Sequence, residues 1–414
     1  MRTMIIMSQA ITDKQRRLSR KYLVFKFLTN LWFISAIWLY FYRIFITDQQ
    51  VGILDGLAFA IGLIAEVPSG ALADRFGRGR MVKLGQALAG SGLLIQAFGS
   101  SFLPFFVGQS IMLIGFSLVS GADEALFFEN INFDRASLHW RKLVTRCSQA
   151  ALVGLLTATL IGGRLYFINP RIPWILSGLA MISSVFIIWS VKDNRPKRQA
   201  KKFLAEIKGH LIDIKAGFVQ FRSPKLFLYV PIIIIVQGLF YTAGWGILRL
   251  ILLDRFNFDP FWSSVVIATS SLITVGILTL MYKYAERMSE RRVLILISIC
   301  AVVSLLLSIA NIGRWGYIVI LALYAGEHVL SPFMSEVLNN RSEENRRATV
   351  LSVATFFRML PYVGLAPIIG YLNTHNSLEY FLISWSLLMC IAIVFYFLLK
   401  KNDDIISMVQ KESV

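Results

Sequence analysis

Residues 66–80 read EVPSGALADRFGRGR and stand between two long apolar runs. The stretch gathers two acids, a proline, three glycines and three arginines into a chain that is 56% hydrophobic and only 16% charged. Because a membrane-crossing helix consists of about 20 mostly apolar residues, a short polar link of this kind is typical of a turn at the membrane surface. The first question is therefore what the link connects.

The chain of 414 residues reads as a polytopic membrane protein. Its apolar share exceeds the roughly 45–50% of ordinary soluble proteins. The length rule predicts an all-α membrane protein with about twelve transmembrane helices. The link 192–225 divides them into two pseudo-symmetric six-helix bundles. The predicted spans are 22–46, 51–72, 81–101, 103–128, 143–168, 172–191, 226–252, 261–283, 292–311, 314–338, 347–372 and 377–399.

The cations indicate which end of the spans faces the cytoplasm. They cluster before residue 22, at 75–83, 135–146, 192–225, 283–292 and 341–347, and after residue 399. The other end offers little beyond Arg171, Arg249, Arg255 and Arg314. Lys and Arg concentrate in cytoplasmic loops, so we expect a multi-pass protein of the cell (inner, cytoplasmic) membrane with both termini in the cytoplasm. This topology accounts for the net charge of +18 without a nucleic-acid partner.

The domain organisation follows from the same pattern. We expect a cytoplasmic leader (1–21), an N-terminal bundle (22–191), a cytoplasmic linker with an amphipathic helix (192–225), a C-terminal bundle (226–399) and a cytoplasmic tail (400–414). The linker helix rests on the apolar spacing of Leu204, Ile207, Leu211, Ile214 and Phe218. The halves correspond, since Ala73-Asp74-Arg75 aligns with Ala285-Glu286-Arg287, as in duplicated secondary transporters.

At residues 70–80 the sequence resembles motif A of the major facilitator superfamily, G-x-L-A-D-R-x-G-R-[KR]-x, in the loop between helices 2 and 3. The residues that match are Gly70, Leu72, Ala73, Asp74, Arg75, Gly77 and Arg78. Gly79 stands where a second cation is usual. The resemblance implies a monomeric transporter in which Asp74 latches the two halves on the cytoplasmic side. Its candidate partner here is the start of helix 11, at Arg346-Arg347-Ala348-Thr349.

The glycines and the proline of residues 66–80 also predict the local backbone structure, independently of the resemblance. Gly70 and Gly77 are expected to end helix 2 and reverse the chain, because glycine adopts backbone angles that other residues avoid. Pro68 loosens the last turn. The alternative is a solvated turn whose charges only set the topology.

Ionisable residues inside spans are costly, at roughly 2.5–3.5 kcal/mol each, so each is a functional candidate. Glu66 is expected to be a structural or gating acid that pairs with Arg75 and Arg78. Asp55, near the outer end of its span, is expected to be hydrated, and Lys26 to extend to the membrane surface. The candidates for proton or substrate coupling are Asp123, Glu124, Glu327, His328 and Arg358.

Two readings of the second-half candidates stay open. A neutral His328 beside Glu327 can pass a proton near physiological pH. Alternatively, Arg358 and Glu327 form a bridge that only holds the second half together. Helices 1 and 7 line the cavity in the family that the chain resembles, so the candidate cavity aromatics are Trp38, Tyr241 and Trp245.

The expected function is secondary active transport by alternating access, with protons as the coupling ion. Few polar residues lie in the spans, which favours efflux of a hydrophobic or amphiphilic small molecule. Helix 4 lacks the arginine, and helix 5 the proline, that drug antiporters of the family often carry. A proton-coupled importer or a uniporter of a small metabolite stays open, as does a non-transporting receptor or scaffold. Phosphate-loop and hydrolase motifs are absent, so we expect no enzyme, cofactor or metal.

Overall fold

The computed structural model describes residues 12–131, 138–191, 212, 215–284 and 289–412. Every regular element in this part of the chain is a helix. The expected linker helix of residues 192–225 lies largely outside the described residues, as does the second-half copy Ala285-Glu286-Arg287. "Outer" below denotes the membrane side opposite the N-terminus, and "inner" the side of the N-terminus.

The helices of the first half occupy residues 13–189. They are α1 (Asp13–Thr29), α2 (Trp38–Tyr42), α3 (Asp48–Phe76), α4 (Arg78–Phe98), α5 (Phe102–Val119), α6 (Ala122–Ile131), α7 (Leu138–Ile168) and α8 (Ile172–Trp189).

The second half begins with the short helix Pro224–Phe227 and a π-helical segment, Ile232–Gln237. The further helices of the second half follow in chain order. They are α9 (Gly238–Gly244), α10 (Ile247–Arg255), α11 (Pro260–Tyr284), α12 (Glu290–Ile309), α13 (Tyr317–Arg341), α14 (Arg347–Thr374) and α15 (Leu378–Glu412).

Ten of the expected twelve spans are long and apolar enough to cross a membrane in the described part of the chain. Nine are single helical stretches, and the tenth is a pair of segments, Ile232–Gly244 and Ile247–Arg255, bent by 60°. The expected span 226–252 is therefore two segments rather than one straight helix. α4 is 21 residues long but carries three cations in its first six positions, which lowers its hydropathy.

The first expected span, 22–46, is wrong as a single helix. α1 ends at Thr29, residues 30–37 have no regular helical structure, and α2 covers five residues. Polar side chains satisfy part of the interrupted backbone: the Asn30 amide donates to the carbonyl of Lys26, and the hydroxyl of Ser177, in α8, accepts from the N–H of Phe33. The first helix of each half is thus broken near its middle.

Gly70 does not end the second span, contrary to the sequence-based expectation. α3 continues through Pro68 and Gly70 to Phe76, so Asp74 and Arg75 belong to its last turn. The chain reverses at Gly77, whose φ of 95° and ψ of 139° suit glycine. Only the second of the two glycines in the stretch supplies the turn.

The two halves pack against each other at their outer ends. α3 crosses α14 so closely that a Cβ on Gly56 would lie 2.6 Å from the carbonyl oxygen of Val363, and one on Gly52 would overlap the carbonyl of Ala366. α7 meets α11 in the same way at Gly163. Small residues permit this approach of two backbones in a membrane.

Polar contacts join the same outer ends. The Arg43 guanidinium bridges Asp48 and Asp254, at 2.7 Å from each, and the Tyr40 hydroxyl donates to the carbonyl of Phe258 at 2.7 Å. These contacts link the first half to α10 and α11. We refer to them, together with the α3–α14 and α7–α11 crossings, as the outer seal.

Candidate functional site

A cavity of about 340 Å³ lies between the two halves, beneath the outer seal. Residues of both broken first helices and of α3, α5, α8 and α14 form its wall. The lining side chains are mostly aromatic or aliphatic: Trp32, Ile34, Trp38, Tyr42, Asp55, Phe59, Gln109, Met112, Leu113, Phe116, Trp174, Tyr241, Trp245, Gly246 and Tyr362.

The three aromatic residues singled out from the sequence, Trp38, Tyr241 and Trp245, all belong to this wall. Tyr241 packs edge-on against Phe59 of the opposite half, with ring centroids 5.7 Å apart. Trp245 lies at the bend between α9 and α10, and 48% of its surface is exposed. Broken helices place irregular backbone where it faces a cavity rather than lipid.

Asp55 is the acidic group in this wall, and it is buried rather than hydrated. Its recorded partners are neutral: the Tyr362 hydroxyl donates to one carboxylate oxygen, and the Gln109 amide donates to the other at 3.1 Å. The Tyr362 hydroxyl also accepts from the N–H of Ile247 at 3.0 Å. One carboxylate thus connects α3, α5, α14 and α10 across the boundary between the halves.

Sequence reasoning passed over Asp55 although a signal was present. The residue lies inside the predicted span 51–72, where an ionisable side chain is costly and therefore a candidate. Its position in the cavity wall could not be read from the sequence, because that position depends on a contact with Tyr362, which is 307 positions away along the chain.

A second chamber of about 260 Å³ adjoins the cavity on the inner side. The two share Phe59, Leu113, Phe116 and Tyr241. Glu66 lines the second chamber and is exposed there. The site is therefore closed by the outer seal and continues towards the inner side.

The expected pairing of Glu66 with Arg75 and Arg78 is wrong. Because α3 continues to Phe76, Arg75 is nine residues from Glu66, about 14 Å along the helix axis. Arg78 binds Glu129 at the end of α6 instead, with 2.7 Å between Nη1 and Oε1. This ion pair attaches the α3–α4 turn to the fourth span.

Arg249, which the sequence placed among the outer surface cations, is buried. Its guanidinium donates to the carbonyl of Gly244 at 2.7 Å and to the carbonyl of Ser35 at 2.9 Å. Ser35 lies in the break of the first half, and Gly244 is the last residue of α9, next to the break of the second half. The side chain therefore joins the two broken first helices.

Glu327 and Arg358 form the bridge that was one of the two open readings. Their closest atoms, Oε1 and Nη1, are 2.9 Å apart, and Arg358 also donates to Ser331 at 2.7 Å. Glu327 is buried, and its second oxygen has no hydrogen-bond partner in the described part of the chain. Arg358 lies over the ring of Tyr241, at 5.5 Å from its centroid, which links the pair to the cavity wall.

His328 points away from this bridge. Its Nδ1 lies 2.9 Å from the carbonyl oxygen of Tyr324, and its ring stacks on that of Tyr324 with centroids 4.4 Å apart. Consecutive residues diverge by about 100° around a helix, which separates the imidazole from the Glu327 carboxylate.

The acids of the fourth span have different surroundings. Asp123 is buried and binds Lys26 of α1, with 2.5 Å between Oδ2 and Nζ. Lys26 therefore makes an internal ion pair instead of extending to the surface. Glu124 is exposed.

The inner-side turn places Asp74 and Arg75 at the surface, where both are exposed. Arg346, in the expected partner segment, pairs with Glu343 at 3.3 Å. The structure has its two halves joined at the outer ends, and an inner latch belongs to the opposite arrangement. The part of the chain that is described contains no group of three or more acidic, histidine or cysteine residues placed to bind a metal.

Comparisons with known proteins agree with this architecture. Residues 23–363 match the sequence profile of the Major Facilitator Superfamily. Multidrug resistance protein 2 of Bacillus subtilis (strain 168) is 24% identical over 363 residues, which cover 84% of this chain and 86% of that protein.

Solved transporter structures share the fold. A mutant of the nucleoside transporter NupG superposes with a TM-score of 0.75 at 12% identity, covering 93% of this chain and 99% of its own. The peptide transporter POT in complex with sulfate gives 0.71 at 14% identity, with 94% of each chain covered. At these identities the likeness establishes the fold alone.

Proposed function

The chain belongs to the Major Facilitator Superfamily, whose members are carriers rather than enzymes, and we propose that it exports a hydrophobic or amphiphilic small molecule in exchange for protons. Transport of small molecules across a membrane follows from the family. The cargo class, the direction and the coupling ion are the proposal.

The composition of the cavity wall is the observation that carries the cargo class. Aromatic and aliphatic side chains dominate it, and Asp55 and Gln109 supply its polar groups. Such a wall suits a compound with an apolar body and one polar or basic group. The Bacillus relative is named for multidrug resistance, which supports export of compounds of this kind.

We propose that Asp55 links the presence of cargo to the outer seal. A polar group of the cargo at this carboxylate competes with the Tyr362 hydroxyl, which holds α3 to α14. Weakening that contact favours separation of the outer ends. A ligand shifts a conformational equilibrium only through such a difference in its contacts between the two states.

We propose Glu327 as the proton carrier. Its second oxygen has no hydrogen-bond partner among the described residues and is the site proposed for the proton, and Arg358 and Tyr241 connect the residue to the cavity wall. The cation distribution supports cytoplasmic termini, and with that orientation the exchange of cargo for entering protons is efflux.

Proteoliposomes with a pH-sensitive dye in an acidic lumen test the proposal. Lipophilic cations, neutral amphiphiles, sugars and nucleosides are added outside, one at a time, with protein-free liposomes as the control. Antiport raises the luminal pH when a carried compound enters. A fall in luminal pH indicates a proton-coupled importer, and a labelled compound that crosses with no pH change indicates a uniporter; either result contradicts the proposal.

A further inference from the structure

The inner end of the first bundle carries a basic groove outside the transport cavity. α1 and α7 both begin at the inner side and run in parallel, and the groove lies between their first turns. Its volume is about 370 Å³. The lining residues are Arg16, Ser19, Arg20, Leu23, His139, Lys142, Leu143 and Arg146.

Like charges converge on this groove from both sides. Arg16 and Arg20 are one turn apart on α1, and Lys142 and Arg146 are one turn apart on α7, so each pair points the same way. All four side chains are exposed, and no carboxylate is among the groove-lining residues that the structure describes. Like charges drawn together in this way repel one another unless an anion lies between them.

The surroundings of the groove are apolar on the membrane side. Leu143 is buried in its floor, and Leu23 is partly buried. Farther out, the face of α7 that carries Arg146 continues through Val153 and Leu160, seven and fourteen residues later. These two side chains are 54% and 41% exposed. The basic groove thus adjoins an exposed apolar strip of α7.

We propose that this groove binds the headgroup of an anionic phospholipid from the inner leaflet. The phosphate lies among the four cations, and an acyl chain follows Val153 and Leu160. Basic pockets between helices on the cytoplasmic side bind such headgroups. The four cations lie at the inner ends of α1 and α7, which is the level of the headgroups of the inner leaflet. The bound lipid joins α1 to α7, and so supports the segment of α1 that carries Lys26.

The test compares lipid binding by the purified full-length chain and two charge-matched variants. Arg20→Gln/Arg146→Gln removes one cation from each wall of the groove. Arg17→Gln/Arg141→Gln removes two exposed cations from the same helices, outside this groove. Native mass spectrometry with phosphatidylglycerol, phosphatidylcholine and inorganic phosphate gives the affinities.

We expect the chain and the Arg17/Arg141 variant to prefer phosphatidylglycerol to phosphatidylcholine. In the Arg20/Arg146 variant the affinity for phosphatidylglycerol falls about tenfold or more, because half of the four groove cations are gone. Arg20→Lys/Arg146→Lys keeps the charge and restores most of the binding. Equal losses in the two glutamine variants overturn the proposal. Inorganic phosphate that displaces the lipid at equal concentration also overturns it, since the site then binds a free anion.

Discussion

At the scale of single residues, the ionisable side chains within the bundle differ in what neutralises them. Asp123 has Lys26, and Glu327 has Arg358, whereas the recorded partners of Asp55 are a hydroxyl and an amide. An acid buried in a membrane without a cation among its described partners is costly, which makes Asp55 a candidate for binding or coupling.

Replacement of Asp55 by Asn removes the charge and keeps a hydrogen-bond acceptor for Tyr362. We expect KM for amphiphiles with a basic group to rise about tenfold or more, because a charged hydrogen bond contributes about 1.5–3 kcal/mol. Initial rates in proteoliposomes for a basic compound and a neutral analogue measure the effect. Tyr362→Phe keeps the Asp55 carboxylate that binds cargo but removes the contact that holds α3 to α14. We therefore expect this variant to change kcat rather than KM. Equal losses for both compounds in Asp55→Asn would show a structural role alone.

Replacement of Glu327 by Gln abolishes the protonation step at this position. Transport should persist down a cargo gradient and become independent of the pH gradient. The control is Glu343→Gln, which makes the same substitution at an exposed acid on the inner side of the second half. Flux at several imposed pH gradients is the measurement. An unchanged dependence on the gradient in Glu327→Gln excludes this residue as the proton carrier.

At the scale of elements, glycine decides where helices approach each other. The outer seal rests on the α3–α14 crossing, where Gly52 faces the backbone of Ala366. Gly276 of α11 has open space where its Cβ would be. The same substitution at these two sites therefore separates the effect of packing from that of helix propensity.

In Gly52→Ala we expect the closed outer seal to be destabilised by about 1–3 kcal/mol, the usual cost of overpacking. Spin labels at Gln50 and His375, on the outer ends of α3 and α14, should then show a larger population of long distances. Gly276→Ala should leave the distances unchanged and raise the melting temperature slightly, because Ala stabilises a helix interior by about 1 kcal/mol relative to Gly. If the wild type and Gly52→Ala gave identical distance distributions, the α3–α14 crossing would not be what holds the outer ends together.

At the scale of the whole molecule, transport requires a second arrangement in which the outer ends separate and the inner ends meet. Asp74 is the residue assigned to that inner contact by the resemblance of residues 70–80 to motif A. The acid lies in the last turn of α3, ready to face the start of α14. A carboxylate near a helix N-terminus contributes about 0.3–1 kcal/mol.

Asp74→Asn should therefore shift the ratio of outward-open to inward-open molecules by roughly two- to fivefold towards inward-open. Transport should fall while membrane insertion stays intact. The spin-label pair at Gln50 and His375 reports the ratio, and Asp13→Asn provides an inner-side control. Full transport activity in Asp74→Asn would contradict the latch.

Some of the site was predictable because its signal is local. The motif at residues 70–80 identified the family, and the placement of Trp38, Tyr241 and Trp245 in the first helix of each half matches their position in the cavity wall. The interruption of the first helix could not be predicted from the sequence. The run 22–46 contains neither Gly nor Pro, so no local signal marked the break at residues 30–37.

By itself the sequence determined the class, the family, the side on which the cations concentrate and which acids lie inside spans, since these depend on composition and order along the chain. Only the tertiary structure decided the partner of each charge. Arg78 binds Glu129 rather than Glu66, Lys26 binds Asp123, and Asp55 meets Tyr362 from 307 positions away. Such pairings depend on how helices cross in three dimensions, and a charge inside a membrane is stabilised by whichever partner that crossing brings within reach.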